Sequence, residues 1–252
     1  MSGSEAAEPP SGRPGDTSAA EAHGEHRPVS GGLARAAVFG INDGLVSNVS
    51  LILGFAGSGV DSEIVRLAGL AGAVAGAISM AAGEWISISA QNELIEREVS
   101  VERRALAGNT VGETAELAAM YRADGMSPDV AEAAAADVMA NPARALAVHA
   151  REEMGVDPGS LPSPVKAAVI SFLCFIVGAL LPLLPWLQGA SGVAPAMTSL
   201  ALGVVAAGFV GAAIGRFAER SILASVVRQI VIVLVACAVT YAIGELFDVN
   251  MS

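Results

Sequence analysis

Residues 64–106 read IVRLAGLAGAVAGAISMAAGEWISISAQNELIEREVSVERRAL. The part through Ala90 is an apolar run long enough for a bilayer, because ~30 Å of hydrocarbon at 1.5 Å per residue takes about 20 helical residues. Gln91–Leu106 then continues with no Gly or Pro to stop a helix, while the composition turns from apolar to charged. One helix that crosses the membrane and carries charge into water decides the fold class. An all-α membrane protein is expected, with a water-side helical part inserted between its spans.

Four more windows have the length and apolarity of a span: Leu33–Val60, Val165–Leu187, Ala194–Gly215 and Ile222–Phe247. Each must be helical in lipid, where the backbone has no water to bond. Five transmembrane helices follow, with spans 1 and 2 in residues 33–90 and spans 3 to 5 in residues 162–252. Residues 91–161 form an acidic helical domain between them, with further helices expected at Val111–Ala123, Pro128–Ala140 and Pro142–Met154. Residues 1–32 read as a disordered tail without the apolar core of a signal peptide, and they carry His23 and His26. Small residues four apart, at Gly40/Gly44, Gly72/Gly76 and Gly211/Gly215, let helix backbones approach.

Composition agrees. The 252 residues are 53% hydrophobic and 15% charged, with a mean hydropathy of +0.58, which argues against a soluble enzyme. The net charge of −11 leaves no broad basic surface for nucleic acid. Cys174 and Cys237 lie far apart in apolar runs and read as small apolar fillers. Residues 91–161 hold 13 acidic and 6 basic residues, a balance of −7, so most of the negative charge sits in one block. Arg35, Arg97, Arg103, Arg104, Lys166, Arg216 and Arg220 flank one side of the spans, while the alternate turns are nearly bare. That places the N-terminus and the acidic block in the cytoplasm and the C-terminus outside. The Ala- and Gly-rich composition without a targeting peptide points to a bacterial plasma membrane.

Two acids stand inside the spans, Asp43 in Asn42-Asp43-Gly44 and Glu84 in Gly83-Glu84-Trp85. A carboxylate at the centre of a membrane helix costs roughly 2.5–3.5 kcal/mol on insertion, so such acids mark ion or proton paths. Asp43 lies ~12 Å beyond Arg35, and Met80 and Glu84 lie ~16 and ~10 Å before Gln91, so on antiparallel helices all three share a depth. Met80 and Glu84 are four apart and share a helix face. Two carboxylates and a thioether suit a borderline divalent ion such as Fe²⁺ or Mn²⁺ better than Mg²⁺ or Ca²⁺, and Asn42, Asn48 and Ser47 offer further oxygens. Arg228 either pairs with one of these acids or snorkels to the interface, and snorkelling is favoured. In the acidic block, Glu98/Glu102 and Glu113/Glu116 recur at helical spacing. His149 precedes Glu152 and Glu153 by three and four residues, with Met154 next. Charge runs of this kind are usually a solvated face, but above buried acids they read as a metal-binding surface. No prosthetic group is expected.

The stretch Asn42–Asn48, the run Ser79–Ser87, Glu102–Leu106, Ala118–Tyr121 and His149–Gly155 resemble the vacuolar iron transporter family over residues 33–247. The resemblance implies a five-span homodimer that exports cytosolic Fe²⁺, with Mn²⁺ as another substrate, in exchange for protons. It places Asp43 and Met80 on the intramembrane path, with Glu84 adjoining, and Glu102, Glu113, Glu116, Glu152, Glu153 and Met154 in a cytoplasmic metal-binding domain. It also implies a Glu where this chain has Ala105, one carboxylate fewer. A membrane-anchored metal sensor or store is the rival reading, though an anchor needs no buried acid. A ferroxidase would need paired Glu-x-x-His helices, whereas His149-Ala150-Arg151-Glu152 has the reverse order and occurs once. The protein is expected not to be an enzyme.

Overall fold

The computed structural model describes residues 32–247, so the expected tail with His23 and His26 lies outside the described residues. Eight helices and no strands are found among them: α1 (Gly32–Gly57), α2 (Ser62–Gly108), α3 (Thr110–Ala123), α4 (Pro128–Met139), α5 (Pro142–Met154), α6 (Pro164–Leu187), α7 (Val193–Phe217) and α8 (Ile222–Leu246). Five of these, α1, α2, α6, α7 and α8, are long and apolar enough to cross a membrane, with mean hydropathies of 1.5 to 2.6 over their most apolar windows. Exposed side chains on the outer faces are apolar where hydrocarbon would lie, as with Leu173, Val177, Val205, Phe209, Val235 and Val239.

α2 is unbroken over 47 residues, about 70 Å at 1.5 Å per residue, more than twice the hydrocarbon thickness. The helix thus continues without a break through the charged turns beyond Ala90, as its sequence predicts. Short helices then fold back on it. Asn109 starts α3 by accepting from Gly112 N–H at 3.1 Å, and Asn141 starts α5 by accepting from Ala143 and Arg144 N–H at 3.0 and 3.2 Å. Gly155 ends α5 at φ 64°, a left-handed turn that glycine adopts without a Cβ penalty. Leu117, Ala118, Ala135 and Val138 form a small separate core under α3 and α4, with Val148 of α5 packed on it. Asn92 donates to the Pro162 carbonyl at 2.9 Å and ties the exit of α2 to the chain entering α6.

Within the spans α1 is central, packing against α2, α6, α7 and α8. Its contact with α6 is backbone on backbone: a Cβ on Gly44 would collide with the Phe175 carbonyl, and one on Gly178 with the Ile41 carbonyl. Leu45, Val49, Ile52, Val65, Leu183 and Val233 fill the core around this contact. Trp186 Nε1 donates to Ser199 Oγ at 2.9 Å, and Ser199 Oγ donates to the Pro182 carbonyl at 2.6 Å, which pins α7 to the proline-bearing end of α6.

Gly44→Leu drives a branched side chain into α6 and is expected to cost about 3 kcal/mol, read as a lower Tm by tryptophan fluorescence in detergent. Gly208→Ala meets nothing within 4 Å. Its Tm is expected to stay level or rise, since alanine is the better helix former.

Candidate metal centre

Glu102 on the outer part of α2, Glu113 in the first turn of α3, and His149 and Glu153 one turn apart on α5 converge on one point. One ligand atom from each lies within 4.8 Å of the others. His149 is fully buried and Glu102 is 8% exposed. His149 Nδ1 is 2.9 Å from Glu153 Oε1, 3.1 Å from Glu102 Oε1 and 4.0 Å from Glu113 Oε2. That nitrogen carries at most one proton, so it cannot satisfy three carboxylates. Glu102 Oε1 and His149 Nε2 are both buried without a hydrogen-bond partner. Buried polar atoms are rarely orphaned.

Burial pushes the Glu102 carboxyl above its ordinary value; the charges of Glu153, Glu113 and Glu116 push it further, and His149 opposes them. The cluster is therefore short of positive charge, and a divalent cation would supply it. Imidazole and carboxylate together match a borderline ion of the iron or manganese kind.

Of the other sequence-predicted residues, Glu98 is half-buried one turn before Glu102, and Glu116 is exposed on α3, where it acts on Glu102 through its field. Glu152 is exposed, and its charge adds to burial in raising the Tyr121 hydroxyl. Met154 is half-buried at the end of α5. None of these four belongs to the converging group. Ala105, three residues beyond Glu102, adds no ligand to it.

In the spans, Asp43 lies on an exposed stripe of α1 with Phe39 and Ser47, and the Ser47 hydroxyl donates to the Asp43 backbone carbonyl. Met80 is half-buried against Ala73, Ala77 and Phe175. Glu84 has a buried Oε1 without a hydrogen bond, with Arg35 Nη2 3.7 Å away. The asparagines bridge helices: Asn42 accepts from Gln229 of α8 at 2.7 Å, and Asn48 donates to the Ala179 carbonyl of α6 at 2.6 Å. Arg228 is exposed and makes no ion pair among the described residues. The pairing with Glu84 falls instead to Arg35, whose place at a span end reads in the sequence as a marker of orientation and depth. Glu84 and Glu102 are 18 residues apart, five turns at 3.6 residues per turn, and so project from the same face of α2.

Five spans, one of which runs on into a cluster of acids around the buried His149, make an integral membrane protein of the transporter class. The model of the VIT family matches residues 34–245; the chain belongs to this family, whose members are transporters and not enzymes. It is 28% identical over 223 residues to vacuolar iron transporter 1 of Oryza sativa subsp. japonica, covering 88% of each chain. It is 35% identical over 187 residues to the vacuolar iron transporter of Acanthamoeba castellanii, covering 73% of this chain and 68% of that one. With vacuolar iron transporter homolog 2 of the same rice it shares 36% identity over 223 residues, 84% and 89% of the two chains.

Because the folded protein holds the Glu102 proton more tightly than the unfolded chain does, this group favours folding at acid pH, and its contribution is lost as pH rises through the raised value. Metal-free Glu102→Gln is therefore expected to melt a few degrees above wild type at pH 7. The gap should close as pH falls toward the ordinary carboxylate value of 4.5; a gap independent of pH would contradict the electrostatic account.

Proposed function

We propose that the protein exports Fe²⁺, with Mn²⁺ as a further substrate, from the cytosol in exchange for protons. The observation that carries this reading is the convergence of Glu102, Glu113, His149 and Glu153 at the head of the helix that also bears Met80 and Glu84. The names of the relatives direct the cargo to iron. Residues 91–161 act as a cytoplasmic metal-binding domain, where Glu98, Glu116, Glu152 and Met154 add negative charge or a soft donor around the four-residue cluster. Metal passes from there to Asp43, Met80 and Glu84, with Asn42 and Asn48 nearby. The Lys and Arg distribution supports a cytoplasmic N-terminus and acidic domain, and the Ala- and Gly-rich composition supports a bacterial plasma membrane.

Proton exchange follows from the ligand chemistry. A carboxylate binds either a metal ion or a proton, so loss of the metal leaves the same oxygens free to take up a proton. The same side chains then carry protons inward on the return, without a separate proton channel.

A homodimer is part of the proposal. In a single chain Asp43 is exposed on a span, where lipid contact costs roughly 2.5–3.5 kcal/mol. A second copy laid against this stripe of α1 removes that contact and sets two Asp43 side chains along the axis between subunits.

In proteoliposomes holding an Fe²⁺-quenched dye, wild-type flux is expected to quicken with an imposed proton gradient, and Asp43→Asn to lower it by at least roughly tenfold. Equal flux from the variant would remove Asp43 from the path, and no wild-type flux at all would favour a sensor or store. By titration calorimetry with Mn²⁺, the Glu102→Gln, Glu153→Gln double variant is expected to bind on the order of 100-fold more weakly, about 2.7 kcal/mol, while retaining the helical circular dichroism of the wild type.

A further inference from the structure

A cleft of about 620 Å³ opens between the first half of α1, the end of α7 and the first half of α8. Arg35 and Arg228 line it, and none of its lining residues is acidic. Arg35 is in the first turn of α1, and Arg228 lies six residues into α8. Both residues thus lie within two turns of a helix end, from which a long guanidinium side chain reaches the headgroup layer. Below them the walls are Val38, Phe39, Phe217 and Ile232, and the Asn42–Gln229 hydrogen bond crosses the floor. Phe217 is 71% exposed, so the apolar wall on the α7 side continues outward onto the molecular surface.

We infer that this cleft is a binding site for an acidic phospholipid, whose phosphate sits between Arg35 and Arg228 while the start of an acyl chain lies along Phe217 and Ile232. Guanidinium groups offer paired N–H donors that match phosphate oxygens, and basic pockets between spans are a recurrent place for acidic headgroups. Arg228 has no ion-pair partner among the described residues. Arg35 spends only one loose contact of 3.7 Å on Glu84 and keeps its other donors. The charge of the cleft is therefore not cancelled by the protein itself. Its size separates the two sources of phosphate: about 620 Å³ lies in the range of roughly 300–1,000 Å³ typical of organic ligands, far beyond what an inorganic phosphate fills. Arg216 and Arg220 flank the α7–α8 turn and add positive charge at the same edge, against Glu219.

The test uses the full chain, purified and delipidated in a neutral detergent, then offered phosphatidylglycerol and phosphatidylcholine together. Native mass spectrometry counts the lipid retained. Phosphatidylglycerol is expected to be held at least roughly tenfold better than phosphatidylcholine, Arg228→Gln to remove that preference, and Arg228→Lys to restore part of it. Ile232→Trp, which fills the cleft with both arginines in place, is expected to lose phosphatidylglycerol too, so the outcome does not hang on one variant folding. Mn²⁺ binding at the distant cluster reports whether each variant is folded. Equal retention of the two lipids by wild type, or undiminished phosphatidylglycerol on folded Arg228→Gln and Ile232→Trp, would overturn the inference. So would complete displacement of lipid by millimolar inorganic phosphate, which would make this an anion site. A change of subunit number in Arg228→Gln with lipid retention intact would assign the cleft to a second copy of the chain instead.

Discussion

The contact on which the spans depend is the meeting of two backbones, α1 at Gly44 and α6 at Gly178. With no side chain between them, the Phe175 and Ile41 carbonyls reach the opposite helix, and the rotation of α1 about its own axis is fixed by contact at van der Waals distance. Every other face of α1 follows from that rotation. Asn48 meets the Ala179 carbonyl, Asn42 meets Gln229, and Asp43 is turned outward next to Ser47. The outward acid is thus a product of packing elsewhere on the same helix. A small change at the glycine contact would turn it to a different direction.

The second organising element is the continuity of α2. A break at Gln91 would leave the acidic helices on a flexible tether, whereas an unbroken helix fixes Glu102 relative to Glu84 in both height and rotation. α3 and α5 then need only deliver Glu113, His149 and Glu153 to a point already set. Their caps at Asn109 and Asn141, and the left-handed Gly155, set where those helices begin and end.

Much of this was legible in the sequence. The apolar windows gave five spans to within a few residues, since bilayer thickness dictates their length. The absence of Gly and Pro after Ala90 gave the extension of α2. Helical spacing gave Glu98/Glu102, Glu113/Glu116 and His149 with Glu152/Glu153 as pairs on single helices. It did not say which member of each pair turns inward, because spacing describes one helix and the cluster is made by three. His149 is the instructive case: its position before two glutamates suggested a ligand, while its full burial facing Glu102, 47 positions earlier, came only with the fold. Arg35 shows the opposite limit. A basic residue at a span end reads as an orientation signal, and nothing local announced that its guanidinium would lie beside Glu84 or line a cleft with Arg228.

The 18 residues between Glu84 and Glu102 put ~27 Å of helix between the two groups of acids. At physiological ionic strength charges in water are screened within about 8 Å. The two groups therefore feel each other only weakly through water, and what joins them is the stiff axis of α2, which fixes their separation as a ruler does.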